Sequence, residues 1–128
     1  MAVDPIGNGP IRNSTVWDFL LWVMGRRRRF AVVGASMLPW LKPGDEILVD
    51  RGAYRQGAPQ VGDVVVVVSP RPEDSEGGEF RLVKRVVAVR SDGACFVQGD
   101  NLAQSTDSRD FGWVTPDLIL GQVVSRFD

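Results

Sequence analysis

Five consecutive valines, Val64 to Val68, constrain this chain more than any other feature. β-Branched side chains favour extended backbone, and the run shows no alternation of apolar and polar residues. Turn residues flank it, Gly62-Asp63 before and Pro70 after. Such a strand needs cover on both faces. Further short Val-rich stretches follow the same grammar. Pro43-Gly44, Pro59-Gln60-Val61-Gly62, Ser91-Asp92-Gly93 and Gly99-Asp100-Asn101 supply the turns between them. Strands are expected near 30–33, 46–51, 63–69, 80–90, 94–98 and 118–126. Short strands at this spacing favour a mainly β architecture, an all-β barrel or folded sheet, over a βαβ layout. Residues 70–79 are polar and contain Gly77-Gly78, which reads as an exposed hairpin loop.

Ahead of the β region lies an arm, 1–29, leaving 30–128 as the β-domain. Residues 1–12 are rich in Gly, Pro and Asn. Asn13 or Ser14 is placed to cap a helix over 15–25, with Trp17, Leu20, Leu21 and Met24 on one face and Gly25 as its stop. That face can pack on its own domain, meet a partner or rest on a membrane surface. Arg26, Arg27, Arg28 and Arg29 form a basic cluster suited to phosphates, an acidic partner or simple solvation.

The chain's 128 residues, 44% hydrophobic, suffice for one domain with a real core. A formal charge of −1 offers no general case for nucleic acid. No stretch approaches the roughly 18–20 apolar residues that span a bilayer. The lone cysteine, Cys95, falls in an expected strand and reads as a buried structural thiol. One cysteine suits a reducing compartment.

The chain has no histidine. A serine nucleophile here lacks an imidazole base, and a His-ligated metal site is excluded. No metal or cofactor is expected. A desolvated lysine is the usual substitute base. In the stretch 80–90, alternation puts Phe80, Leu82, Lys84, Val86 and Ala88 on one face. Arg81, Val83, Arg85, Val87 and Val89 take the other. Lys84 is then the only charge on its face, and burial would lower its pKa toward the range of a general base. Snorkelling from a sheet edge, or a register one residue out, are the other readings of this stretch.

Gly34-Ala35-Ser36-Met37-Leu38-Pro39, followed by Leu41-Lys42-Pro43-Gly44-Asp45, resembles the serine box of the type I signal peptidase family. Val61-Gly62-Asp63-Val64-Val65 resembles that family's second Gly-Asp strand, and Leu82-Val83-Lys84-Arg85-Val86-Val87 its lysine box. Gly99-Asp100-Asn101, with Ser105-Thr106-Asp107-Ser108-Arg109 and Phe111-Gly112, resembles its last box. The resemblance implies a signal-peptidase-like folded β-sheet and a serine endopeptidase working through an acyl-enzyme. Ser36 is then the nucleophile and Lys84 the general base. Ser105 orients the lysine, and Asp107 and Arg109 form a structural ion pair. Gly34, Ala35 and Met37 border the substrate. The Ser36 N–H serves as one oxyanion donor. Some family members add a hydroxyl two positions earlier, where this chain has Gly34. Trp40 departs from the threonine common at its position, and either reshapes the cleft or packs beneath it.

Four arginines just before the serine box would lie on the disfavoured side of a membrane anchor. The expectation is a cytoplasmic, anchorless member of the family. Such short forms are similar to the proteases that mature nickel-type superoxide dismutase, which implies that precursor as the protein substrate. A general leader peptidase that meets membranes through the arm is the first alternative. A self-cleaving relative of the SOS repressor proteins is the second, although the last box argues against it. A non-catalytic β-domain that binds a protein partner is the third.

Overall fold

The computed structural model describes residues 16, 27–71 and 80–127. Six strands form one antiparallel sheet: β1 (Arg27–Ala31), β2 (Glu46–Asp50), β3 (Val64–Val68), β4 (Arg81–Val89), β5 (Cys95–Gln98) and β6 (Ile119–Phe127). Their spatial order is β1-β2-β6-β3-β4-β5. The mainly β expectation therefore holds, and one curled sheet agrees with the folded sheet that the resemblance implies.

The valine run becomes β3, paired with β4 on one side and β6 on the other. Both of its faces are covered. Val64 and Val66 join Val32, Met37, Leu41, Ile47 and Val49 in one core. Val65 and Val67 join Val86, Cys95, Val97 and Val114 in a second. Cys95 is fully buried, and burial pushes its thiol pKa up, so the thiolate is disfavoured.

Three register shifts bend the sheet. One lies between Val86 and Ala88 in the β4–β5 pair, one between Leu48 and Val49 against β6, and one between Val66 and Val67 against β6. An extra residue unpaired in a ladder increases the local twist. The shift in β4 also corrects strict alternation. Beyond the extra residue Val87 the faces exchange, so Val89, not Ala88, packs with the Val86 core.

The first strand begins at Arg27 rather than at residue 30. Three of the clustered arginines are thus strand residues paired with β2. Arg28 and Arg29 are exposed, and Arg29 forms an ion pair with Glu46 and lies 5.0 Å from the Phe127 ring centre. The expected arm helix and the segment 72–79 lie outside the described residues, except Val16, which is helical and exposed. No helix among the described residues is long and apolar enough to cross a membrane.

Candidate active site

Lys84 projects from the middle of β4, opposite Val65 of β3. Only 2% of it is exposed. Leu82 and Val86, two positions either side, belong to the second core. Strand pairing buries this side chain on the face of Leu82 and Val86, so neither a snorkelling lysine nor a register one residue out describes it. Burial lowers its pKa from the ordinary 10.5. The Asp107 carboxylate pulls the other way, and the Arg109 guanidinium opposes that pull.

One hydrogen bond anchors the amine: Lys84 Nζ donates to Ser105 Oγ over 2.9 Å. That hydroxyl is fully used. It accepts a second bond from the Gly99 N–H at 3.1 Å and donates its own proton to Asp107 Oδ2 at 2.7 Å. Asp107 is completely buried. Burial alone would raise its pKa. Hydrogen bonds from Arg109, Ser105 and the Gly99 N–H hold it well below the usual carboxylate range instead. Arg109 pairs with both carboxylate oxygens, Nε donating to Oδ1 at 2.9 Å and a terminal N–H to Oδ2 at 3.0 Å.

Local sequence explains why these groups sit still. Asp107 caps a short helix, α1 (Ser108–Phe111), accepting from the Arg109 N–H. Asp110 returns the favour by accepting from the Asp107 N–H at 3.0 Å, a complete capping box. Ser108, the first residue of α1, accepts from the Val97 N–H at 2.8 Å and so ties the helix to β5.

Ser36 lies in the turn that follows β1, half-buried. Gly34 opens that turn at φ 84°, with nothing within 4 Å of the place a Cβ would occupy. The glycine is required by backbone conformation rather than by crowding. Ser36, Met37 and Lys84 line one cavity of about 330 Å³, walled also by Val32, Leu82 and Val83. Among the described residues none hydrogen-bonds to Ser36 Oγ, and the Ser36 N–H donates to none. Met37 faces two ways, lining the cavity while belonging to the first core. Gly34 and Ala35 are not among the residues that line it.

Two further residues belong to the site, and the sequence reading left both as unassigned members of the last box. At Gly99, an added Cβ would stand 2.4 Å from Ser105 Oγ and 2.5 Å from the Ser36 carbonyl oxygen. Asn101 donates its backbone N–H to the Ser36 carbonyl at 2.8 Å and its side-chain amide to the Ala35 carbonyl at 3.0 Å. The signal available in sequence was only the Gly-Asp-Asn triplet, which also reads as a turn. Trp40 packs against the first core, with the guanidinium carbons of Arg85 and Arg126 at 5.4 and 5.6 Å from its ring centre. It does not line the cavity, so of the two alternatives the packing one describes it.

Comparison with known proteins bears on what this arrangement does. The chain matches the family model described as signal peptidase, peptidase S26, over residues 16–93 and 90–127. It is 36% identical to the mitochondrial ATP-independent inner membrane protease subunit 1a of Arabidopsis thaliana, over 74% of this chain and 67% of that protein. It is 34% identical to the mitochondrial inner membrane protease subunit 1 of Schizosaccharomyces pombe, over 73% of this chain and 68% of that protein. Identity to a probable signal peptidase I-1 of Synechocystis is 28%, over 72% of this chain and 66% of that protein. The chain thus spans about two thirds of the length of the relatives it matches.

Proposed function

The chain belongs to the signal peptidase family, peptidase S26, and is a serine endopeptidase; from that premise we propose that Ser36 is its nucleophile, Lys84 its general base and an N-terminal leader its substrate. The observation that carries this reading is the buried, hydrogen-bonded Lys84 amine lining the same cavity as the unpartnered Ser36 hydroxyl. A neutral amine has two N–H groups and one lone pair. Donation to Ser105 uses one N–H and leaves the lone pair for the Ser36 proton.

In this scheme Ser36 Oγ attacks the leader's carbonyl carbon as its proton passes to Lys84 Nζ. Negative charge collects on the former carbonyl oxygen, where the Ser36 N–H is free to donate. Collapse breaks the C–N bond, and Lys84 returns the proton to the departing amine. Water, deprotonated by Lys84, then attacks the acyl ester, and Lys84 passes that proton to Ser36 Oγ as the ester C–O bond breaks. Ser105 keeps the amine aimed, and Asp107 keeps Ser105 aimed. Arg109 balances the Asp107 charge, so that the carboxylate does not hold the lysine protonated.

The relatives are named as inner membrane proteases and as a signal peptidase, which supports leader removal in general. The nickel superoxide dismutase precursor is the finer candidate. Both are assayed together: a quenched peptide with an Ala-x-Ala leader end, the small-residue pattern of secretory cleavage sites, and the dismutase precursor followed by N-terminal analysis of its product. Ser36→Ala and Lys84→Ala should each abolish cleavage while leaving the domain folded. For the native chain kcat/KM should rise with pH as Lys84 loses its proton, with a half-point below 10.5. Turnover retained by either variant, or a flat profile from neutral to alkaline pH, rejects the dyad.

A further inference from the structure

We propose that Asn101 is the positioning residue of the nucleophile: it sets the two peptide planes flanking the Ser36 Cα, and through them the place of the Ser36 Cβ that carries Oγ and the direction of the oxyanion-facing N–H. The inference rests on Ser36 being the nucleophile and goes beyond it by naming what aims that residue.

The two bonds from Asn101 fall on consecutive carbonyls. Its side-chain Nδ2 donates to Ala35 O at 3.0 Å, and its backbone N–H donates to Ser36 O at 2.8 Å. Those oxygens belong to the Ala35–Ser36 and Ser36–Met37 peptides. Both peptides are trans, the only cis bond among the described residues being Leu38–Pro39. A trans peptide is planar, so its N–H points opposite to its C=O. Holding the Ala35 oxygen therefore aims the Ser36 N–H away from Asn101. Accepting a hydrogen bond also polarises that amide and makes its N–H a stronger donor. With both planes held, φ and ψ of Ser36 are set, and with them the direction of the Cα–Cβ bond from whose end Oγ samples its staggered rotamers.

Asn101 is itself tied to the lysine's side of the site. Its neighbour Asp100 makes a two-pronged ion pair with Arg85, the residue after Lys84, at 2.8 and 2.9 Å. Before that, the Gly99 N–H bonds to Ser105 Oγ, the atom that holds the lysine amine, and to Asp107 Oδ2, which holds Ser105. The segment 99–101 thus bridges the frame of Lys84 to the turn of Ser36. Ala35 and Asn101 stand 66 positions apart in the chain. Asparagine suits the task because it offers a neutral donor at that reach. Aspartate in the same rotamer would turn an oxygen toward the Ala35 carbonyl, and alanine would leave that carbonyl without its donor.

Asn101→Asp and Asn101→Ala are the test, since both keep the backbone bond to Ser36 and remove the one to Ala35. Turnover of the quenched Ala-x-Ala peptide is measured beside the native chain and Ser36→Ala, and is normalised to the natively folded fraction by near-ultraviolet circular dichroism. We expect kcat per folded molecule to fall roughly 10–100-fold in both variants, the size of loss that small misplacements of reacting groups produce. KM should stay within about threefold, because Ala35 does not line the cavity and its carbonyl is already taken by Asn101. A merely structural asparagine would lower the folded fraction and leave kcat per folded molecule native. That outcome overturns the inference, and if Asn101→Ala does not fold, the nearly isosteric Asn101→Asp decides alone. An inactive native chain, or an active Ser36→Ala, removes the premise and the inference with it.

Discussion

A single methylene-sized space decides whether this site can assemble. Gly99 passes between Ser105 Oγ and the Ser36 carbonyl, and its backbone N–H donates to Ser105 and Asp107. A side chain there would push apart the residue that holds the lysine and the turn that holds the serine. Gly99→Ala should therefore cost about 1–3 kcal/mol of unfolding free energy by urea titration, as overpacking does. It should also lower kcat by roughly 100-fold through misplacement. Turnover near the native rate would mean that the turn simply moves aside, and that the close approach is incidental. The same crowding explains Ser105: with its proton on Asp107 and both lone pairs filled, it has one orientation and offers Lys84 only an acceptor.

At the level of elements, β3 behaves unlike a strand with one wet face. Val65 and Val66 point to opposite cores and both are at most 1% exposed. Val65→Ala and Val66→Ala should each destabilise by about 2 kcal/mol, from two lost methyl groups at about 0.8 kcal/mol apiece plus the cavity term. Val124→Ala in β6, at an exposed position, should change stability by less than about 0.5 kcal/mol. Urea unfolding of the three variants checks the pattern. A large difference between Val65 and Val66 would mean that one core carries the fold while the other merely covers it. α1 matters for a different reason. Four residues bury little, yet its capping box fixes Asp107, and Asp107 fixes Ser105.

Across the whole molecule, the site costs stability. A buried amine with a lowered pKa binds its proton less readily in the folded chain than in the unfolded chain. By linkage, the unfolded state then holds more protons between the folded value and 10.5, so stability rises with pH across that window. Below that window the lysine stays charged in the folded chain, at the cost of the hydration that burial removes. Lys84→Met, of similar shape, should be inactive yet more stable near neutrality by about 1 kcal/mol, or roughly 2–6 °C in Tm. The gap between variant and native chain should narrow as pH climbs from the lowered folded value toward 10.5, and level off above it. Other groups titrate alike in both proteins, so the difference isolates Lys84. A gap that widens with pH would contradict a buried, easily deprotonated amine.

Much of this was legible in the residue order, because strand-forming runs, turn pairs and two-residue alternation are local properties. The doubly covered valine strand, the six strand positions to within a few residues, the buried Lys84 and its partner Ser105 all follow from such patterns or from the four boxes of the resemblance. Alternation failed at Val89 because an extra residue at Val87 exchanges the faces, and pairing with β5 produces that exchange. The start of β1 at Arg27 was hidden because an arginine run has no strand signature, and β2 recruits it by pairing. Local order likewise could not reveal that Gly99 threads between two side chains, or that Asn101 grips two carbonyls of a distant turn. Side-chain type and spacing thus determined the chemistry available to this chain. Tertiary structure alone decided which groups meet, since hydrogen bonds between segments dozens of residues apart leave no periodic trace in either one.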